Sequence, residues 1–397
     1  MTAIILKDEA LVSRLRRGLL DWYDAHGRAL AWRQGARDAY RVWLSEVMLQ
    51  QTTVPHAAPY YEKFLTLWPT VRDLAAAEDG RVMAEWAGLG YYARARRLLE
   101  CARVVVRDYD GIFPANEADL LKLPGFGPYT AAAVAAIAFD LPANVVDGNI
   151  ERIMTRLYAI DTPLPAAKSD IRLAAAQWVL PERAGDWPQA LMDMATLICR
   201  PKSPVCDQCP LAVACLALER GAPERFPVKL AKLPKPRRYG VVFVMLTGEG
   251  VVVERRADKG LLGGMLGLPH TEWVPSSSPD VSGEVARNAL ARFRDGGGNS
   301  ITKDAPSVGD DAPTPPPQAG EDQWVVAGSY EHVFTHFALT QEVWVRRLSD
   351  EETASMLRAN NAWQILPLSE KALPTVFAKA LKLKDQTVTP DLFRSNV

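Results

Sequence analysis

The sequence predicts a multidomain protein in which an all-α region ending in a cysteine-rich loop precedes a smaller α+β domain. Three observations predict it. The chain has 397 residues, more than one core usually organises at about 100–200 residues per domain. Apolar residues recur at three- and four-residue spacing to about residue 218, as at Val42, Leu44, Val47 and Met48, whereas strand-like runs begin only near residue 239. Four of the five cysteines crowd into residues 199–215.

Composition narrows the class. With 48% hydrophobic and 23% charged residues the chain reads as a soluble globular protein, and no apolar run approaches the roughly 20 residues of a membrane span. The N-terminal stretch MTAIILKDEALVSRLRRGLLDWY mixes acids and arginines with its apolar residues, which suits an amphipathic helix better than a signal peptide. Residence in a bacterial cytoplasm, at the nucleoid, without a membrane partner, is the expectation. A net charge of −1 excludes a uniformly basic nucleic-acid binder, so any basic surface is local. In a reducing compartment the cysteines are not a disulfide framework.

Along the chain, residues 1–220 read as helices separated by short Pro/Gly turns. Residues 221–238 shift to Pro, Lys and Arg, including Lys229, Lys232, Lys235, Arg237 and Arg238, as suits a linker. Residues 239–247 and 251–254 read as strands joined by Gly248-Glu249-Gly250, and 324–347 supplies further β-rich runs. The stretch 296–322 is polar and rich in Gly and Pro, the composition of a disordered segment or long surface loop.

Several motifs carry chemistry. Cys199, Cys206, Cys209 and Cys215 follow the spacing C-x6-C-x2-C-x5-C, which suits either an iron–sulfur cluster or a four-thiolate zinc; only one C-x2-C knuckle is present, where zinc ribbons usually show two. Cys101 stands apart in an apolar helix and reads as a buried structural residue. Leu123-Pro124-Gly125-Phe126-Gly127-Pro128-Tyr129-Thr130-Ala131 reads as helix, hairpin, helix. It is an ordinary interhelical turn or a site where free backbone N–H groups bind a DNA phosphate. In Val145-Val146-Asp147-Gly148-Asn149-Ile150, Asp147 or Asn149 is a helix N-cap or a site carboxylate and its neighbour. Glu46 is an acid inside an apolar helix: on an exposed face it is inert, and buried it would hold its proton near neutral pH. Arg96, Arg103 and Arg107 share one helical face behind Tyr91 and Tyr92, a solvated stripe or a DNA contact with tyrosines suited to wedge between bases.

Taken together, WLSEVMLQQT, GLGYYARARRL, LPGFGPYTA, VDGN and the cysteine loop resemble, in order and spacing, the adenine DNA glycosylases of the MutY type, within the helix–hairpin–helix glycosylase superfamily. The resemblance covers residues 20–216 strongly and the C-terminal domain weakly. It implies an all-α helix–hairpin–helix glycosylase built of six-helix-barrel and iron–sulfur subdomains, joined to a Nudix-like mismatch-recognition domain at 239–397. Glu46 then matches the general acid, Asp147 the carboxylate that stabilises the sugar cation, and Tyr129 and Asn149 their supporting residues. The pair divides its labour as in glycoside hydrolysis, one carboxyl protonated and the other charged.

The resemblance also matches Gln51 and Thr52 to contacts with the mismatched pair, Tyr91 to a wedge beside the oxidised guanine, and Arg28, Leu30, Trp32, Arg33 and Gln189 to the adenine pocket and its surroundings. Gly125 and Gly127 become the phosphate-binding hairpin. The four cysteines match ligands of a [4Fe–4S] cluster. Phe334, Thr335 and His336 resemble a loop inserted beside 8-oxoguanine, with Thr335 where serine is common, and Leu262 stands where tryptophan is frequent. The implied partner is duplex DNA containing 8-oxoguanine:adenine or guanine:adenine, bound by a monomer.

The alternative is an endonuclease III-like oxidised-pyrimidine glycosylase and lyase, whose Schiff-base chemistry needs a lysine. In those relatives the lysine occupies the position of Tyr129, so a monofunctional enzyme is expected here. A Nudix hydrolase would need a Glu-rich metal helix, which the sequence after Gly263 lacks. A non-enzymatic mismatch binder would not require Glu46 and Asp147 together.

Overall fold

The computed structural model describes residues 8–35, 37–230, 233–257, 260–275, 324–369 and 373–384. The loop expected at 296–322 lies outside them. The chain divides into two compact units, Met1–Lys232 and Leu233–Val397.

The first unit is helical: α1 (Glu9–His26), α2 (Ala39–Leu49), α3 (Val54–Leu67), α4 (Val71–Ala75), α5 (Asp79–Glu85), α6 (Ala93–Asp108), α7 (Glu117–Leu120), α8 (Pro128–Phe139), α9 (Gly148–Leu157), α10 (Lys168–Ala176), α11 (Asp186–Leu197) and α12 (Leu216–Glu219). Short polar residues start several of them by accepting otherwise unpaired N–H groups. Asp8 caps α1, Asp38 caps α2, Asn116 caps α7 and Thr70 forms a capping box with Asp73. Two apolar cores result. One gathers α2 to α7 around Trp43, Tyr61, Phe64 and Trp86, and the other gathers α1, α9, α10 and α11 around Leu19, Met154, Trp178 and Trp187.

Helix α8 belongs to both cores. Its Ala131, Val134 and Ala135 enter the first, and Ala132, Ala133 and Ala136 enter the second. A helix that is apolar on every face is buried on every face, and alanines let the neighbouring helices approach closely. The run AAAVAAIAF therefore joins the two halves, and α2 packs against it. Among the described residues no helix is long and apolar enough to cross a membrane.

The second unit is α+β. Its strands are β1 (Arg237–Leu246), β2 (Val251–Arg255), β3 (Leu266–Gly267), β4 (Val274–Pro275), β5 (Val325–Val333), β6 (Ala338–Arg347) and β7 (Trp363–Leu366). They form one mixed sheet in the order β3-β2-β1-β6-β5, with β4 on β1 and β7 on β2. Among the described strands only β1 and β6 run parallel, from Arg237↔Ala338 to Leu246↔Arg347. Helices Asp350–Ala359 and Thr375–Leu383 complete the described part, the latter burying Val376, Phe377 and Ala380 against the sheet core.

The stretch 221–238 is less of a free linker than its composition suggests. Phe226 is buried at 2% exposure, Arg156 donates to its carbonyl, and Leu164 N–H donates to Val228 O at 2.9 Å. Arg237 and Arg238 already belong to β1. Proline and lysine content marks exposed stretches on average, but one aromatic such as Phe226 suffices to tether the backbone.

Candidate active site

The site lies in the first unit, where its two cores meet at a cleft of about 330 Å³. Helix α2 is buried along most of its length, which brings Glu46 to 7% exposure. Tyr129, in the first turn of α8, donates its hydroxyl hydrogen to Glu46 Oε2 at 2.6 Å. Burial pushes the Glu46 carboxyl up to about 7 against the opposing pull of that hydrogen bond, and the neighbouring charge of Asp147 adds to the rise. Burial likewise holds the Tyr129 phenol well above its ordinary value.

Asp147 caps α9. Its Oδ1 accepts from the backbone N–H groups of Asn149 at 3.0 Å and Ile150 at 2.7 Å, and its Oδ2 accepts from Asn149 Nδ2 at 2.8 Å. Burial raises its pKa from the usual carboxylate value, while the three N–H donors oppose that rise. All three bonds go to acceptor oxygens, and the positive end of the helix dipole reinforces the ionised form. The cap and the site carboxylate are therefore one residue.

Cleft residues include Arg28, Leu30, Trp32, Arg33, Glu46, Thr52, Tyr129, Asp147, Asn149 and Gln189, so the structure brings together ten of the residues singled out in the sequence. Gln189 is 8% exposed and donates to Gly185 O at 2.9 Å. Among the described residues no lysine lines the cleft. Gln51 and Tyr91 are exposed, and both have left-handed backbones, with φ of 58° and 48°. Gly125 lies in the turn between α7 and α8 at φ 79°, and a Cβ there would meet Arg97 Cβ at 3.1 Å. Gly127 is the N-cap of α8 and offers no side-chain cap to its free N–H groups. In the second unit, Phe334, Thr335 and His336 occupy the turn between β5 and β6, closed by Phe334 N–H to Phe337 O at 2.8 Å, with Thr335 and His336 exposed.

A buried acid beside the cleft was not singled out from the sequence. Asp193 on α11 is fully buried and accepts from Arg28 N–H at 2.8 Å, Arg28 Nε at 2.7 Å, and both terminal nitrogens of Arg33 at 2.7 and 3.0 Å. Burial alone would raise its pKa, but the two guanidiniums more than offset it and the carboxyl is lowered. Its signal, an acid embedded in the apolar run QALMDMATL, was the same one that marked Glu46. The expected arginine stripe fares differently: Arg103 pairs with Asp79 at 2.6 Å and Arg107 with Asp108 at 2.6 Å, so much of that face is neutralised locally.

The cysteine loop packs under α9. Arg152 donates to Asn149 Oδ1 at 3.3 Å, Cys199 O at 2.8 Å and Ala195 O at 2.8 Å. Arg156, 2% exposed, donates to Cys199 Sγ at 3.3 Å, Arg200 O at 2.8 Å, Pro201 O at 3.1 Å and Phe226 O at 3.2 Å. None of the four loop cysteines is in a disulfide. Burial raises the Cys209 thiol, and the other three sulfurs lie close enough to add to that rise. Among the described residues no three of His, Cys, Asp and Glu converge tightly enough to ligate a single metal ion.

Comparison with known proteins adds relatives to this geometry. Residues 44–179 match the family model of the HhH-GPD superfamily base excision DNA repair proteins, and residues 241–383 match that of the NUDIX domain. The chain is 32% identical over 413 residues to the adenine DNA glycosylase of Rattus norvegicus, covering 90% of this chain and 75% of the relative. It is 36% identical over 327 residues to the adenine DNA glycosylase of Homo sapiens, covering 68% of this chain but 60% of the relative. The match thus spans less than two thirds of the human protein's length. The structure of a thermostable thymine-DNA glycosylase is 30% identical, with a TM-score of 0.48, covering 53% of this chain and 97% of that one.

Proposed function

The chain belongs to the adenine DNA glycosylase family, and from that premise we propose that it is a monofunctional base-excision enzyme releasing adenine mispaired with 8-oxoguanine or guanine. One observation carries the reading: a buried carboxyl that keeps its proton near neutral pH and a second carboxylate held by three N–H donors line the same cleft. Adenine is a poor leaving group. Glu46 gives its proton to N7 of the base, the C1′–N9 bond breaks with its electron pair moving to the base, and ionised Asp147 stabilises the sugar cation until water adds to C1′ and gives its proton back to the Glu46 carboxylate. Tyr129 and Asn149 hold the two carboxyls in place. Among the described residues lining the cleft none offers a side-chain amine for a Schiff base, which favours this reading over a lyase.

The base must leave the stack to reach the cleft. Arg28, Leu30, Trp32, Arg33 and Gln189 form its pocket, Gln51, Thr52 and Tyr91 meet the mispair, and the turn at Gly125 and Gly127 binds backbone phosphate as a monomer engages the duplex. Phe334, Thr335 and His336 read the oxidised base. The donor set of Cys199, Cys206, Cys209 and Cys215, a four-thiol loop of which Cys199, Cys209 and Cys215 pack on the second core and Arg156 donates to Cys199 Sγ, fits a [4Fe–4S] cluster, which their thiolates would hold. Bound there, the cluster is a structural cross-link for the loop.

The test is single-turnover adenine release from 8-oxoguanine:adenine and guanine:adenine duplexes. Wild-type protein should release adenine from both, while Glu46→Gln and Asp147→Asn should bind the duplex and lose at least about a hundredfold in rate. Near-normal excision by either variant would defeat these roles, and borohydride trapping of wild-type protein on DNA would favour the lyase.

A further inference from the structure

Helix α2 ends at Leu49, and the carbonyls of its last turn have no partner further along the helix. A glycine often follows such an end, because the next residue turns left-handed. Here Gln51 takes that conformation, at φ 58°, although a side chain disfavours it. The donors come from another helix. Arg94 Nη1 donates to Val47 O at 2.8 Å and Gln50 O at 2.6 Å, and approaches Met48 O at 3.4 Å. A cation at this position also complements the negative end of α2.

The same guanidinium reaches a second turn. Its Nη2 donates to Leu89 O at 3.1 Å and approaches Gly90 O at 3.4 Å. Gly90 has φ 70° and Tyr91, exposed by 52%, has φ 48°. Trp86 Nε1 also donates to Gly90 O, at 3.0 Å, and Tyr60 donates to Ala87 O at 3.0 Å. The Arg94 charge lies 5.4 Å from the Trp86 ring centre and 5.6 Å from that of Tyr91. One side chain therefore spans two strained turns, one following the helix of Glu46 and the other carrying Tyr91. A lysine has too few donors, and the wrong shape, to reach both carbonyl groups of neighbours at once.

We propose that Arg94 is a positioning residue that fixes the 50–52 turn and the Tyr91 turn as one rigid frame, so that extruding the base from duplex DNA and seating it at Glu46 are coupled. The inference rests on the function proposed above. Without the clamp both left-handed turns relax independently, and extrusion weakens while the chemistry at Glu46 keeps its own pH dependence.

The experiment uses full-length protein and a duplex with 2-aminopurine opposite 8-oxoguanine, whose fluorescence rises when the probe unstacks, beside single-turnover adenine release. Arg94→Met should lose extrusion amplitude and at least about tenfold in rate, Arg94→Lys should fall between it and wild type, and the pH midpoint of release should stay in place. Combining Arg94→Met with Tyr91→Ala should cost little more than the worse single change, because both act through one frame. Wild-type extrusion in either Arg94 variant, fully multiplicative losses, or a midpoint that moves with the rate would overturn the proposal. Should Arg94→Met fail to fold by its melting curve, Arg94→Lys decides by the same readouts. A wild-type protein that releases no adenine defeats the functional reading and this inference together; active wild type with indifferent Arg94 variants defeats this one alone.

Discussion

Glu46 illustrates how a single burial sets both chemistry and stability. Its carboxyl, pushed up to about 7 mainly by burial, loses its proton as pH rises through neutrality, so adenine release should fall across that range. The Tyr129 hydroxyl favours the charged form and holds the value down. Tyr129→Phe should therefore move the alkaline limb of the single-turnover pH profile to higher pH; a limb that stays or moves down would remove Tyr129 from this role. The stability sign follows from the same shift. Between the ordinary 4.5 and about 7 the native state binds a proton the unfolded state has released, so stability falls with rising pH, by on the order of 3 kcal/mol in total. Glu46→Gln, inactive in excision, should accordingly melt several degrees higher than wild type at pH 8, and an equal or lower melting point would argue against a buried, strained acid.

At the scale of elements, α9 ties the cleft to the cysteine loop. Asp147 begins it, Arg152 bonds Asn149 on one side and Cys199 O on the other, and Arg156 holds three acceptors at the start of the cysteine loop and the carbonyl of Phe226 beyond it. Removing that guanidinium leaves the buried carbonyl of Phe226 and the part-buried acceptors at Cys199, Arg200 and Pro201 without their donor. Arg156→Met should destabilise the protein by about 2–4 kcal/mol and leave it with well under the roughly four irons per chain of a full cluster. Melting temperature and iron content measure the two effects, and a variant with full iron and wild-type melting would contradict them. Helix α8 works differently, through lack of side-chain bulk: its alanines place Tyr129 against Glu46 by letting both cores close on it.

For the whole molecule, each unit has its own apolar core, which allows the proposed excision and the proposed reading of the opposite base to be varied separately. In full-length protein, Thr335→Ala with His336→Ala should retain adenine release from guanine:adenine but shrink the preference for 8-oxoguanine:adenine by roughly 10–100-fold, the worth of a lost specific contact of about 1–3 kcal/mol. Equal losses on both duplexes would reduce that turn to a source of affinity. The sequence by itself determined the order of elements, the helical and β-containing regions and the cysteine loop, because periodicity, Gly/Pro punctuation and ligand spacing are local properties written into neighbouring residues; Glu46 and Asp147 were paired only by the resemblance of their motifs to a known family. Whether Glu46 was buried or on an inert exposed face, and whether Asp147 was only a cap, depended on residues more than eighty positions apart meeting across α8. The same holds for Asp193, paired with Arg28 and Arg33 from 160 or more positions away, and for Phe226, which ties down a stretch that composition marks as a linker. Burial and charge pairing belong to the packed chain, and only the tertiary structure decided them.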